Sequence, residues 1–205
     1  MTFALDRAVG KVLDALKDDK VEKNTLIIFL NDNGGASAGG PHDNAPLQGY
    51  KGSKWEGGIR VPFAMQWLNV IPSGKVDDRP VIALDIFPTA MAAASIEKSP
   101  GKPLDGVNLL PYVTGKNQAR PHNVLYWKSG ETWAVREGNL KLTVSQPDYR
   151  ESPKLFDLAK DISEKHDLAA ERPDDVKRLQ DLYETWKATH KPTQWEYTLS
   201  TESQP

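Results

Sequence analysis

Residues 25–35 read TLIIFLNDNGG. The first six form a continuous apolar run rich in β-branched side chains, and the run stops abruptly at Asn31-Asp32-Asn33-Gly34-Gly35. An apolar run bounded by turn residues predicts a strand covered on both faces. Just before it, residues 4–17 place Leu5, Val9, Val12, Leu13 and Leu16 on one face at helical spacing, with Lys, Asp and Arg elsewhere. A helix leading into such a strand points to an α/β unit. Asp32 and Asn33 then fall at the carboxyl end of the strand, where sheets of that kind gather their ligands.

Beyond the strand, residues 34–58 hold eight of the fifteen glycines and two prolines, so regular structure is not expected there. A loop this long inside a compact domain is usually functional. Val61 to Trp67 is apolar again, and Pro62 restricts it to an edge or to the first position of a strand. Residues 79–95 read as helical with a bend at Pro88, and Asp105 to Val113 as a short helical turn. Near residue 116 the pattern changes to short alternating runs, at 122–127, 132–136 and 140–145. Glu137-Gly138-Asn139 joins the last two as a hairpin, and 155–158 is a further strand candidate. Residues 173–189 read as a helix opened by Pro173, Asp174 and Asp175, with Val176, Leu179, Leu182, Tyr183 and Trp186 as its apolar face. The expected organisation is an α/β part over 1–115, then a small antiparallel sheet with a terminal helix over 116–205.

Composition narrows the function. The chain has 205 residues, 26 Lys+Arg against 28 Asp+Glu, and a formal net charge of −2, which argues against a general nucleic-acid binder. No apolar run approaches a membrane span. The absence of cysteine removes disulfides, a thiolate nucleophile and any Cys-ligated metal centre. Residues 1–17 lack the apolar core of a signal peptide.

Two clusters carry possible chemistry. Asp32 and Asn33 offer a carboxylate and an amide carbonyl, the hard oxygen donors that calcium or magnesium takes. Calcium needs about six to eight such oxygens, so two side chains form only part of a site. Asn-Asp-Asn-Gly is also good turn chemistry, and a plain turn is the simpler reading of these residues alone. In Gly49-Tyr50-Lys51-Gly52-Ser53-Lys54-Trp55-Glu56-Gly57-Gly58-Ile59-Arg60, Lys51 sits in a glycine-bounded segment where its ammonium can meet an anionic oxygen, or else stay solvated. Trp55 is expected to pack, and Glu56 and Arg60 to pair. His42 lies in the same loop, as substrate contact or surface residue, whereas His122, His166 and His190 are scattered. No zinc-protease histidine pair, G-x-S-x-G elbow or phosphate-binding G-x-x-x-x-G-K-[ST] loop is present.

TLIIFLNDNGG followed by NAPLQGYKGSKWEGGIRVPFAMQW resembles the second half of a type I sulfatase, a family of the alkaline phosphatase-like superfamily. The segments ALDRAVGKVLDALK, LDIFPTAMAAASI, DGVNLLPYVTG, TWAVREGNLKLTV and LFDLAKDISEKHDLA are similar to that family in the same order. The resemblance implies a partial alkaline phosphatase-like α/β sheet with helices, followed by the antiparallel sheet. It implies Asp32 and Asn33 as two ligands of an active-site calcium, Lys51 as the catalytic contact to the sulfate group, and His42 and Asn44 as residues lining the substrate pocket. A cation and a lysine together clamp a sulfuryl group and stabilise charge as its S–O bond breaks.

The family's nucleophile is a formylglycine made from the Cys or Ser of a C/S-x-P-x-R motif, and this chain contains no such motif. Ser145-Gln146-Pro147-Asp148-Tyr149-Arg150 places its arginine one residue too late. The family's first metal-binding Asp-Asp pair is absent too, because Asp77-Asp78 and Asp174-Asp175 lie in other contexts. The expectation is therefore the C-terminal portion of a sulfatase that acts on a sulfated carbohydrate or aryl sulfate. An N-terminal portion would bring the nucleophile, and the chain alone would be inactive and prone to self-association. The resemblance implies a periplasmic, extracellular or lysosomal setting. A phosphate or phosphonate hydrolase of the same superfamily and a non-catalytic module for anionic carbohydrate are the alternatives.

Overall fold

The computed structural model describes residues 2–36, 43–96, 101, 103–145 and 152–191. Two compact units emerge, one from Met1–Gly52 and Glu56–Asn123, the other from Ser53–Trp55 and Val124–Pro205. The architecture is mixed α/β, with a small antiparallel pair, a four-stranded antiparallel sheet and a C-terminal helix.

In the first unit, α1 (Thr2–Asp18) carries the apolar spacing that predicted it and leads through a 3-10 turn (Glu22–Asn24) to β1 (Ile27–Leu30). After the glycine-rich loop come α2 (Glu56–Ile59) and β2 (Phe63–Gln66). The two strands pair antiparallel, Ile27 opposite Gln66 and Leu30 opposite Phe63. Pro62 lies just ahead of β2, where its missing N–H costs the ladder nothing. The expectation that β1 is covered on both faces fails here. None of its residues is fully buried, Phe29 is 39% exposed, and no residue of α1 is buried. Apolarity records what a strand is able to bury, not which neighbours this stretch of chain provides.

Past β2 the chain forms a 3-10 turn (Ala83–Asp85), α3 (Ile86–Ala93) and α4 (Leu110–Val113). The expected bend at Pro88 is absent, because Pro88 is the third residue of α3. First-turn residues have no intrahelical acceptor for their N–H, so proline there breaks nothing. Asp85 organises this region. Its fully buried carboxylate accepts hydrogen bonds from the N–H of Ile82 at 2.9 Å and of Val107 at 2.8 Å, and it meets His122 Nε2 at 2.9 Å. Thr89 Oγ1 donates to Asp85 O at 2.6 Å and accepts from Leu109 N–H at 2.9 Å, so α3 is tied to the chain entering α4. Arg79 braces the next segment by donating to the carbonyls of Tyr112, Asn117 and Ala119. Its guanidinium beside Asp77 also holds that carboxyl below the usual carboxylate range.

The second unit contains β3 (Val124–Ser129), β4 (Thr132–Glu137), β5 (Leu140–Val144), β6 (Lys154–Asp157) and α5 (Pro173–Ala188). The strands form an antiparallel meander in chain order. Gly130 and Gly138 take positive φ at the two tight turns, a conformation that glycine adopts without penalty. The apolar face of α5 lies on this sheet, with Leu179 and Tyr183 packed among Val135, Leu142 and Leu155, and with Val176, Leu182 and Trp186 around them. Each fully buried aliphatic or aromatic side chain contributes roughly 1.5–3 kcal/mol. Tyr183 stacks on Trp133 at 4.1 Å between ring centroids, and Trp186 on Tyr126 at 4.9 Å. Lys141 and Glu164, both fully buried, form an ion pair at 2.8 Å. Trp55 joins a second cluster with Phe156, Leu158 and Ile162, in keeping with the packing role expected for it.

Burial, with the negative charges of Glu184 and Glu131, pushes the Tyr183 hydroxyl up to about 12 from its ordinary 10. The unfolded chain therefore releases this proton first as pH rises. Stability from this group is complete below pH 10 and is lost as pH climbs towards 12. Urea midpoints are expected to fall more steeply between pH 9 and 11.5 in the wild type than in Tyr183→Phe; equal slopes would refute the assignment.

Candidate active site

Asp32 and Asn33 leave β1 in a turn that continues through Gly34 and Gly35. The Asp32 side chain is exposed and, among the described residues, has no ion pair or hydrogen bond. Asn33 Nδ2 donates to the Gly34 carbonyl at 2.9 Å. That bond engages the donor end of the amide and leaves Oδ1 as an acceptor with no hydrogen bond among the described residues. An unpaired carboxylate beside an oriented carbonyl oxygen suits a hard cation. The donor set thus fits calcium in kind, but supplies only part of its coordination. Among the described residues no group of three or more His, Asp or Glu side chains is placed to hold a metal ion.

The turn is held by backbone from two other segments of the same unit. Gly34 N–H donates to Gly58 O at 3.1 Å, Gly57 N–H to Gln48 O at 2.7 Å, and Lys51 N–H to Gly35 O at 2.8 Å. Such close stacking requires the absence of side chains. A Cβ on Gly34 would lie 1.7 Å from the Gly57 carbonyl oxygen, and one on Gly57 would lie 2.6 Å from the carbonyl oxygens of Gln48 and Gly49. Both glycines are therefore present because backbone approaches backbone, which local turn statistics do not register.

Lys51 is exposed, flanked by Gly49 at φ +87° and Gly52 at φ +91°. Its main chain is hydrogen-bonded two residues away from Asn33, so turn and lysine loop adjoin although 16 residues separate Gly34 from Lys51. Asn44 sits between them. Gly35 N–H donates to its Oδ1 at 3.0 Å, and its Nδ2 donates to Gly49 O at 3.0 Å. No signal in the sequence foretold that double attachment. His42 lies outside the described residues. Glu56, buried, faces Arg60 at 3.8 Å as the expected pair. In the other unit, Lys54 N–H donates to Ser145 Oγ at 2.7 Å, and burial holds the Lys54 ammonium below its ordinary value. No helix among the described residues is long and apolar enough to cross a membrane.

Comparison with known proteins bears on this arrangement. Residues 3–96, which contain the turn and the lysine loop, match the sulfatase family model. The chain is 29% identical to the uncharacterized sulfatase YdeN of Escherichia coli, over 87% of this chain and 38% of that protein. It is 30% identical to human arylsulfatase H, over 78% of this chain and 35% of that protein. Among solved structures, Ps i-CgsB in complex with k-i-k-neocarrahexaose superposes with a TM-score of 0.84 and 33% identity, over 95% of this chain and 43% of that one. The chain thus spans about two-fifths of the length of these relatives. In sequence and in fold it is a sulfatase-family chain, corresponding to a C-terminal stretch of the family's longer members.

Proposed function

We propose that this chain forms one side of a site for hydrolysis of a sulfate ester, on a sulfated carbohydrate or an aryl sulfate. The observation that carries the reading is the bond from Lys51 N–H to Gly35 O. It sets an exposed lysine loop beside the Asp32–Asn33 turn in a chain of sulfatase sequence. Asp32 through its carboxylate and Asn33 through Oδ1 hold a calcium ion, and Lys51 holds the sulfate group. His42 and Asn44 border the substrate. When bound, calcium supplies positive charge that polarises the sulfate oxygens. The Lys51 ammonium donates hydrogen bonds to a non-bridging sulfate oxygen and neutralises charge that builds up in the transition state. The chain has no cysteine and no C/S-x-P-x-R motif, so the nucleophile belongs to an N-terminal sulfatase portion acting with it. The k-i-k-neocarrahexaose held by the relative Ps i-CgsB favours a sulfated carbohydrate over an aryl sulfate as substrate.

The same reading explains the uncovered apolar surface of the first unit. Leu5 is 53% exposed and Val12 61%, both on the apolar face of α1, and Phe29 of β1 is 39% exposed. An apolar helix face and an open strand edge are sites of association. We assign the N-terminal sulfatase portion as their partner; without it, the chain covers them by self-association.

Two measurements test this. Alone, the chain is expected to turn over an aryl sulfate at background rate. Joined to a portion that carries C/S-x-P-x-R, it is expected to hydrolyse sulfate esters faster than phosphate esters, and Lys51→Ala should lower kcat/KM by about 10²–10³-fold. Activity of the chain alone that disappears in Lys51→Ala, or a preference for phosphate esters, would overturn the reading. In sedimentation velocity, the chain alone is expected as dimers or larger species, shifting towards monomer when Leu5 and Val12 are both replaced by Lys. A concentration-independent wild-type monomer would count against an uncovered docking face.

A further inference from the structure

The Asn44 side chain joins the two halves of the candidate site. Its Oδ1 accepts from Gly35 N–H and its Nδ2 donates to Gly49 O, each at 3.0 Å. Gly35 directly follows the Asp32-Asn33-Gly34 turn, and Gly49 lies two residues before Lys51. Gly35 O in turn accepts from Lys51 N–H at 2.8 Å, which closes a ring of three hydrogen bonds through Gly35, Asn44 and the 49–51 segment. Asn44 is itself held at its base. Leu47 N–H donates to Asn44 O at 2.8 Å, and Ala45 N–H to Asp43 Oδ1 at 2.8 Å, so residues 43–47 form a self-bonded turn that presents the amide. An amide is the side-chain group that both accepts and donates in one plane. Aspartate keeps the acceptor and loses the donor; alanine loses both.

We infer that Asn44 is a positioning residue, which fixes the spacing between the cation-binding turn at Asp32–Asn33 and the sulfate-binding Lys51 by bonding to the backbone on each side. The inference rests on the reading of those residues given under Proposed function, and goes further by naming what holds them in register. With both ends of the amide engaged by backbone, Asn44 borders the pocket as a wall and acts on the substrate through Lys51. Geometry held from behind the reacting groups matters, because displacements of about 1 Å at a catalytic centre cost on the order of 10²-fold in rate.

The test is amide hydrogen exchange on the full chain, in wild type, Asn44→Ala and Asn44→Asp. In Asn44→Ala, the N–H groups of Gly35 and Lys51 are both expected to exchange about tenfold faster or more, while β3–β6 keep their protection. In Asn44→Asp, Gly35 is expected to regain protection because the acceptor is restored, while Lys51 stays fast because the link to Gly49 is gone. Unchanged exchange at both groups in Asn44→Ala, or loss at Gly35 alone, would reduce Asn44 to a local cap and overturn the inference. If Asn44→Ala unfolds, Asn44→Asp decides: Gly35 and Lys51 responding together, both protected or both fast, overturns the separate attachment. A parallel titration with calcium and inorganic sulfate separates the two ideas. Lys51 N–H is expected to shift in the wild type, with an apparent sulfate Kd about tenfold weaker in Asn44→Ala. No response of the wild type, with the exchange pattern intact, rejects the cation and sulfate assignment and leaves the linkage standing.

Discussion

Gly34 and Gly57 meet without side chains, and the candidate site depends on that meeting. Three stretches of backbone, 31–35, 48–51 and 56–60, are layered so closely that a single methyl on either glycine would overlap a carbonyl oxygen. Hydrogen bonds between Gly34 and Gly58, Gly57 and Gln48, and Lys51 and Gly35 then lock the layers. A long glycine-rich loop carries a large conformational entropy cost on ordering. Here, among the described residues, that cost is offset by backbone bonds made at short range, which hold 48–51 beside the turn at the end of β1.

The loop joins two kinds of stability. In the second unit, an apolar helix face on a four-stranded meander builds a dry core of aliphatic and aromatic side chains. The first unit has little of this among its described residues. Its order comes from polar staples such as the buried Asp85 carboxylate, which gathers two backbone amides and His122, and the Arg79 guanidinium on three carbonyls. Staples of this type hold a chain in one conformation without covering apolar surface. That is why α1 and β1 can be well formed and still expose Phe3, Val12 and Phe29.

What the sequence disclosed follows from the range of the interactions. Helical spacing located α1 and α5, turn chemistry located the β4–β5 hairpin, and the apolar face expected for α5 is the one that packs. These are local signals. The pairing of β1 with β2 crosses more than thirty residues and has no local mark, so apolarity alone overstates the coverage of β1. The effect of Pro88 is not legible locally because it depends on where the helix begins, and Ile86 as a start is set by Asp85 and its partners. Within the candidate site, Asp32, Asn33 and Lys51 stood out by residue type and by family pattern. The double attachment of Asn44 did not, since an asparagine in a loop looks the same whether its amide faces water or two backbone groups.

The buried pair of Lys141 and Glu164 has a consequence for how this chain can vary. Loss of one partner strands a charge in the interior, at about 3–5 kcal/mol, whereas exchanging both for apolar groups of similar volume is often neutral. Lys141 is the second residue of β5, and Glu164 lies beyond β6 at a left-handed φ of +55°. Neither position can drift by itself. A lineage that abandons the pair must change both residues nearly together, and sequences that keep one charge will keep the other. The pair thus acts as an evolutionary ratchet at the centre of the sheet, tying two positions 23 residues apart into one heritable unit.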